Sequence, residues 1–179
     1  NAARIGDMEY KTLSAAIAEA VPGDTVELLN DVTVDVWNQA WNAKDLTING
    51  NGYTWTVGKV ESNVNGNYLF YGAENLQVND LTVIFQTNGN GFDMVSGSLD
   101  NVKMYGGANS NYAVFVGSSD KDAKVSIEKC VFENFKGAAV YSQPAGTDKR
   151  TSDITVNKTT ISNCGMTMCS YAQNTVFTN

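Results

Sequence analysis

The chain has 179 residues, of which 42% are hydrophobic and 17% charged, and it carries a formal net charge of −7. This length fits one domain with a sizeable core. The acidic balance argues against duplex nucleic acid and anionic membranes as partners, because both require a basic face. The sequence contains no histidine, which excludes His-based triads, His-ligated zinc and imidazole acid–base catalysis. We therefore expect no nucleic-acid partner and no membrane insertion.

One amphipathic helix is predicted near the N-terminus. Thr12 suits the N-cap position, and Pro22 with Gly23 is a helix-ending signal. Between them, five apolar residues recur at the spacing of one helix face: Leu13, Ala16, Ile17, Ala20 and Val21. Such a stripe has to cover another apolar surface.

The rest of the chain contains five segments that align with one another, at 46–53, 76–83, 98–104, 125–132 and 154–161. One aligned column is apolar, with Ile48, Val78, Leu99, Ile127 and Val156. The next column is polar, with Asn49, Asn79, Asp100, Glu128 and Asn157. Alternation with period two indicates half-buried strands. A long repeat built from short strands indicates a solenoid of stacked coils.

A second strand recurs in these repeats, at 67–72, 91–97, 111–117 and 137–143. Turns rich in Gly, Asn and Ser separate it from the first strand. We therefore predict an all-β fold, a parallel β-helix solenoid with an N-terminal amphipathic capping helix. It forms a single domain over 1–179, with the cap and first strand in 5–34 and about five coils in 45–179.

The two ends of such a solenoid differ. An exposed end offers apolar side chains and strand edges that invite aggregation, and the predicted helix covers the N-terminal end. The segment 174–179 is predicted to begin another strand. We therefore expect the C-terminal end to be covered by further chain, this sequence being a fragment, or by another protomer.

Residues 5–34, "IGDMEYKTLSAAIAEAVPGDTVELLNDVTV", resemble the N-terminal capping unit of right-handed parallel β-helix domains of the pectate-lyase-like superfamily. Residues 45–179 match that family only as generic β-helix repeats. The resemblance implies a right-handed solenoid of the kind found at the N-terminus of bacterial cell-surface proteins. It also implies an extracellular location, secreted or wall-attached, and an association with carbohydrate. It implies a fold more than an activity, because the same solenoid hosts lyases, hydrolases, adhesins and inert stalks.

Lyases of this superfamily use Ca²⁺ held by acidic residues, together with an Arg or Lys base. The candidate catalytic residues are the strand carboxylates predicted to face outward, Asp93, Asp100 and Glu128. Asp100 and Glu128 share a column, which also suits the carboxylate pair of a glycosidase. Asparagines occupy the same column in other repeats, so a polar ladder without a catalytic role is the simpler interpretation. No cofactor is expected unless the lyase alternative holds, and that alternative requires Ca²⁺; no metal site is assigned.

The second strand series predicts an aromatic surface. If Leu69, Met94, Val114 and Val140 face inward, then Phe70, Val95, Phe115 and Tyr141 face outward, with Tyr68 beside them. An exposed aromatic strip indicates a ligand groove or a partner surface. The candidate ligand-binding residues are Phe70, Phe115, Tyr141 and Tyr68, and the candidate ligands are a glycan or a host or cell-surface protein. Two alternatives stay open: cover by a long loop at 57–66, 117–124 or 143–153, or a one-residue register shift that turns these side chains inward.

The tryptophans and cysteines are assigned to the interior. Trp37, Trp41 and Trp55 are close in sequence, and packing on the first coil is favoured over exposed indoles. Cys130 and Cys169 are predicted to lie in inward columns as buried thiols. Three cysteines cannot all pair within one chain.

Three functions follow as expectations. The first is a non-catalytic extracellular module of a bacterial surface protein, structural or adhesive, with glycan as a candidate ligand. The second is a polysaccharide lyase or glycoside hydrolase acting on an acidic polysaccharide. The third is a self-assembling structural protein that stacks through its open C-terminal end.

Overall fold

A computed structural model describes residues 1–39, 41–61, 65–116, 121–143, 151–170 and 175–178. The described chain is mostly β-strand, with one helix α1 at Leu13–Glu19 and a 3₁₀ turn at Asn65–Asn67. The strands that begin before residue 80 are β1 (Ala3–Ile5), β2 (Met8–Tyr10), β3 (Thr25–Leu28), β4 (Val32–Trp37), β5 (Thr47–Asn49), β6 (Thr54–Val60), β7 (Tyr68–Ala73) and β8 (Leu76–Phe85). The later strands are β9 (Asn90–Met94), β10 (Ser96–Tyr105), β11 (Tyr112–Val116), β12 (Ala123–Glu128), β13 (Val131–Glu133), β14 (Ala138–Ser142), β15 (Ser152–Asn157), β16 (Thr160–Ser162), β17 (Met168–Ser170) and β18 (Thr175–Thr178).

These strands form two sheets. The larger sheet has the order β18-β15-β12-β10-β8-β5-β3-β1-β2, and its strands from β3 to β18 pair in parallel. Further parallel pairs join β4 to β6, β6 to β8, β10 to β13 and β13 to β16. The smaller sheet has the order β17-β14-β11-β9-β7 and is parallel throughout. The prediction of an all-β chain with parallel strand pairing is confirmed.

The predicted register of the first strand series is confirmed. Ile48 pairs with Val78, Val78 with Leu99, and Leu99 with Ile127, and the next strand continues the column with Val156. All of these side chains are buried in one core cluster. Stacking identical faces in this way removes each apolar column from water. This burial of apolar surface is the main contribution to the stability of such a sheet.

The larger sheet bends within single strands. Asp80 in β8 and Asn101 in β10 have φ values of 51° and 53°, and the Nδ2 of Asn101 donates a hydrogen bond to the Oδ1 of Asp80 at 2.8 Å. Lys129 and Lys158 occupy the same turn in the following repeats, with φ of 53° and 48°. Asn and Asp tolerate this left-handed conformation because their short side chains bond locally. The bend lets the first half of β8 pair with β5 and its second half with β6.

The helix is present but shorter than the apolar stripe predicts. The Oγ1 of Thr12 accepts a hydrogen bond from the backbone N–H of Ala15 at 3.1 Å, as an N-cap does. Leu13, Ala16 and Ile17 are buried. Val21 lies beyond the helix end and is 60% exposed, so its assignment to the buried face is wrong. The helix ends at Glu19, before the turn that contains Pro22 and Gly23.

The smaller sheet corrects the register predicted for the first of its strands. Phe70 pairs with Phe92, both are fully buried in the core cluster, and their rings lie 5.7 Å apart. The prediction that Phe70 faces outward is therefore wrong. A one-residue shift in register moves a side chain to the opposite face, and the pairing of β7 with β9 is itself irregular between Phe70 and Ala73.

The interior assignments hold for most of the remaining residues. Trp37 and Trp55 are fully buried and meet edge to face at 5.0 Å. Trp41 is half-buried, with its ring 6.4 Å from that of Trp37. Cys130 is buried, and burial raises the pKa of its thiol to about 11. Cys169 is half-buried and pairs with Tyr141 rather than Val140, so its predicted inward position is wrong. No helix in the described ranges is long and apolar enough to cross a bilayer.

Candidate aromatic binding surface

A pair of stacked rings lies on the outer face of the smaller sheet. Phe115 on β11 pairs in register with Tyr141 on β14, and neighbouring parallel strands lie about 4.8 Å apart. The two rings are accordingly stacked, with centroids 5.4 Å apart and an interplanar angle of 19°. Both side chains are half-buried, which leaves part of each ring accessible.

Tyr112 extends this stack. Its ring lies 4.7 Å from that of Tyr141 and 5.6 Å from that of Phe115. The register places Tyr112 opposite Ala138, and a Cβ atom on Gly137 would lie only 2.6 Å from the Cε1 of Tyr112. The small residues at these two positions therefore provide the space in which the Tyr112 ring lies over β14.

Tyr68 completes the cluster from the other side. It begins β7, yet its ring lies 5.4 Å from Phe115, two strands away in the sheet order β7-β9-β11. Its side chain is buried outside the main core cluster. Burial raises the pKa of the Tyr68 phenol well above its usual range, and the nearby Asp93 carboxylate raises it further. We call Tyr68, Tyr112, Phe115 and Tyr141 together the aromatic surface.

Asp93 lies under the aromatic surface rather than in solvent. It pairs with Phe115 and so shares that residue's face of the sheet, but its side chain is fully buried. The prediction of an outward, accessible carboxylate at this position is therefore wrong. A buried carboxylate is costly in free energy, and here its surroundings include the Tyr68 ring.

Asn90 holds the aromatic surface in place, a role that was not predicted from the sequence. Its Oδ1 accepts hydrogen bonds from the backbone N–H groups of Asn111 and Tyr112, at 2.8 and 3.0 Å. Its Nδ2 donates to the carbonyl oxygen of Gly66 at 2.9 Å. Asn90 thus ties the start of β11 to the turn before β7, the two places from which Tyr112 and Tyr68 project. The signal in the sequence was an Asn directly before the strand predicted at 91–97. Asn is too frequent in the turns for this one to stand out.

Asp100 and Glu128 lie elsewhere, on the larger sheet. They are in register with each other, and Asp100 is exposed while Glu128 is half-buried. Glu128 accepts a hydrogen bond from the Nδ2 of Asn157 at 3.3 Å, and the Nζ of Lys158 lies 3.9 Å from its other carboxylate oxygen. This arrangement is the polar ladder considered in the sequence analysis, and it lies directly before the left-handed turn at Lys129. The structure does not bring these two carboxylates together with Asp93.

The described carboxylates do not form a calcium site. Calcium takes six to eight oxygen ligands, several of them carboxylates, at one place. Within the described ranges no three Asp, Glu, Cys or His side chains are close enough to hold a metal ion. Asp120 and Asp148 lie outside the described residues.

Of the predicted ligand-binding residues, Phe115 and Tyr141 form the half-buried stack. Tyr68 contacts Phe115 but is itself buried, and Phe70 lies in the core. Loop cover as an alternative stays a prediction, because 62–64, 117–120 and 144–150 lie outside the described residues. Tyr112 was missed because it lies three residues before Phe115, which breaks strict strand alternation. Comparison of the chain with family models, with curated proteins and with solved structures finds no match.

Proposed function

We propose that this chain is a right-handed parallel β-helix module of a bacterial surface protein, extracellular and non-catalytic, that binds glycans through the aromatic surface. The observation that carries the proposal is the half-buried stack of Phe115, Tyr141 and Tyr112 on an outer sheet face. The extracellular, bacterial setting rests on the resemblance of residues 5–34 to β-helix capping units.

Support for the β-helix comes from the strand pairing. Apart from the antiparallel pairs of β1 with β2 and β3, strands that pair with each other are separated in sequence by other strands, and they pair in parallel. The larger sheet bends at the column of left-handed residues, which gives each repeat a first face, a second face and a third face on the smaller sheet. A chain that visits three faces in turn and returns one strand spacing further along describes a coil. Right-handedness is the general rule for parallel crossover connections.

Support for glycan recognition comes from the chemistry of the aromatic surface. A sugar ring presents apolar C–H groups on its faces and hydroxyls at its edge, and it packs on the face of an aromatic ring. Partly exposed aromatic side chains held by rigid strands provide such contacts at low entropic cost. The net charge of −7 favours neutral glycans over uronic-acid polymers, since like charges repel.

A binding experiment tests the proposal. The protein is titrated with neutral oligosaccharides of the cello-, xylo-, manno- and chito- series and with oligogalacturonate, by calorimetry. We expect a neutral oligosaccharide to bind. Phe115→Ala and Tyr141→Ala should each lower the affinity for it by about three- to tenfold, as the loss of one aromatic contact does. Tyr105→Ala is the matched control, because Tyr105 is a half-buried tyrosine on the larger sheet. Two results would count against the aromatic surface as a glycan site. One is an equal loss of affinity in Tyr105→Ala, and the other is that no oligosaccharide binds the protein.

The alternative of a lyase or hydrolase acting on an acidic polysaccharide has one observation in its favour. Asp100 and Glu128 are adjacent carboxylates on neighbouring strands. If they act together, Ca²⁺-dependent release of unsaturated products from a uronan, followed by ultraviolet absorbance, will be lost in Asp100→Asn and Glu128→Gln. If they are a polar ladder, wild type and both variants will produce no such signal.

The alternative of self-assembly rests on the strands β16 and β17. Each pairs with one other strand within the described residues. Met166 and Met168, beside and within β17, are 50% and 38% exposed. If copies stack there, sedimentation velocity will show a concentration-dependent mass that Met166→Glu with Met168→Glu reduces to the monomer. A monomer at all concentrations would rule out this alternative.

A further inference from the structure

A polar groove lies at the turns that lead into the smaller sheet. Its volume is about 550 Å³, within the range of small-ligand sites. Three consecutive repeats line it, with residues from the segments 106–108, 134–136 and 163–165. Each segment directly follows one of the paired strands β10, β13 and β16 and precedes β11, β14 or β17. The groove therefore crosses the repeats next to the strands that carry the aromatic surface.

The floor of this groove is main chain, because neighbouring repeats approach closely in these turns. A Cβ atom on Gly106 would clash with the carbonyl oxygen of Asn134, and one on Gly165 would clash with that of Lys136. Glycine is the residue that such a close approach requires. These two positions therefore add no side chain to the groove.

Three polar side chains offer hydrogen-bonding atoms to the groove. The Nδ2 of Asn163 donates to the Oδ1 of Asn134, which joins the amides of two neighbouring repeats. The Nζ of Lys136 donates to the Oδ1 of Asn109 at 3.0 Å. Among the described residues the Nδ2 of Asn134 and the Oδ1 of Asn163 have no further hydrogen-bond partner, and Lys136 keeps two of its three donors. The lining thus presents both donors and an acceptor.

Gly137 joins the groove to the aromatic surface. It directly follows Lys136 of the groove lining. A Cβ atom on Gly137 would lie 2.6 Å from the Cε1 of Tyr112 and 3.1 Å from its Cζ, so the hydroxyl end of that ring lies over Gly137. In the next repeat, a Cβ atom on Gly165 would lie 2.7 Å from the carbonyl oxygen of Gly137. The Tyr112 ring and the groove therefore lie on either side of one glycine.

We propose that the groove is a second subsite of the glycan site, and that it binds the sugar unit next to the one stacked on Tyr112 and Tyr141. This inference rests on the proposed function. A sugar hydroxyl both donates and accepts hydrogen bonds, so it suits the amide N–H of Asn134, the amide oxygen of Asn163 and the ammonium of Lys136. The aromatic rings extend over β11 and β14, and the groove lies beyond them. The ligand that fills both subsites is therefore a neutral oligosaccharide longer than a disaccharide.

The measurement is calorimetry with the disaccharide and the tetrasaccharide of the neutral series that binds. We expect the wild type to bind the tetrasaccharide about three- to tenfold more tightly, as one added hydrogen bond provides. Lys136→Met and Asn163→Gly each remove one polar group, so they should lower the affinity for the tetrasaccharide and leave that for the disaccharide unchanged. Glycine suits position 163 because Asn163 has a φ of 48°. Lys103→Met, at an exposed lysine on the larger sheet, is the charge control.

A groove-filling variant separates a second subsite from a general effect of chain length. Ala108→Leu places a larger side chain in the groove and should reduce the affinity for the tetrasaccharide to that for the disaccharide. Ala15→Leu, at an exposed position of the capping helix, should change neither affinity. If the groove variants leave tetrasaccharide binding unaffected, or lower both affinities equally, the second subsite is wrong. Glycan binding at the aromatic surface then still stands if Phe115→Ala weakens disaccharide binding, whereas both proposals fall if no oligosaccharide binds.

Discussion

At the scale of single residues, the aromatic surface depends on where small side chains allow large ones to lie. Strand alternation was sufficient to predict that Phe115 and Tyr141 share a face, because both lie in regular strands that pair without a bulge. It was insufficient for Phe70, because β7 pairs irregularly with β9. It was also insufficient for Asp93, because alternation predicts the face of a residue and not what covers it.

Gly137 provides a residue-scale test of this packing. In Gly137→Ala the new Cβ would lie 2.6 Å from the Cε1 of Tyr112, so the ring has to move. We expect the affinity for the bound oligosaccharide to fall about three- to tenfold, as in Tyr112→Ala. The measurement is calorimetry on the double-mutant cycle. Gly137→Ala should cause no further loss of affinity when Tyr112 has already been replaced by Ala. Additive losses would mean that Gly137 acts by another route.

Tyr68 gives the protein a predicted alkaline dependence. Its pKa in the folded state is raised by burial and by Asp93, whereas the unfolded chain ionises near pH 10. A group with a raised folded pKa contributes stability that is complete below the unfolded pKa and is lost as the pH rises above it. We therefore expect the free energy of unfolding to fall by about 1.4 kcal/mol per pH unit above pH 10 on account of this group.

The comparison of Tyr68→Phe with the wild type measures that contribution. Urea unfolding from pH 8 to pH 11 should show a shallower loss of stability in Tyr68→Phe, because the variant has no phenol to ionise. Tyr105→Phe is the control, and it should follow the wild type. Parallel curves for Tyr68→Phe and the wild type would show that the phenol ionises alike in both states.

At the scale of elements, the capping helix is stable only through its contacts. Seven residues are too few for a helix to persist alone in water. The apolar spacing and the Thr12 cap were both readable from the sequence, since they depend on local rules. The end of the helix was not readable from the sequence, because the apolar stripe continues to Val21 while the backbone already turns after Glu19.

Leu13 and Thr12 test the helix separately. Leu13→Ala should lower the free energy of unfolding by about 2–5 kcal/mol, since Leu13 is fully buried. Thr12→Ala should lower it by about 1 kcal/mol through the loss of the cap. Ala15→Ser, at an exposed position, should change it by less than about 0.5 kcal/mol. Urea unfolding followed by circular dichroism gives the values, and a loss for Leu13→Ala no larger than for Ala15→Ser would mean that the helix is not docked.

The bend between the two halves of the larger sheet allows a stabilising prediction. Lys129 has a φ of 53° at the position that Asn101 occupies in the preceding repeat. A left-handed conformation costs an ordinary residue more than it costs Asn, so Lys129→Asn should raise the free energy of unfolding by about 0.5–1 kcal/mol. Lys124→Asn, in the extended strand β12, should lower it, because Asn is unfavourable in strands. Equal effects of the two substitutions in thermal unfolding would contradict this account of the bend.

At the scale of the whole molecule, repetition made the strand pairing predictable, and the parts that do not repeat were missed. The column from Ile48 to Val156 was found by alignment, because each repeat buries the same position. The antiparallel pair of β1 and β2 was not found, because its strands are three residues long and occur once in the described chain. The candidate surface follows the same rule, since Phe115 and Tyr141 occupy equivalent positions in neighbouring repeats. The position of Tyr112 is held by Ala138 in the next repeat, so alignment gives no repeated aromatic signal there.

The most direct test of glycan binding at the aromatic surface is a titration of protein with ¹³C-labelled Tyr and Phe rings, using the oligosaccharide that binds most tightly in the calorimetric panel. We expect the ring resonances of Tyr112, Phe115 and Tyr141 to shift together and to saturate at one stoichiometric equivalent. Those of Tyr105 and the buried Phe70 should stay unchanged. Shifts at Tyr105 with none at Phe115 would place the ligand elsewhere, and a spectrum unchanged by every oligosaccharide would contradict the proposed function.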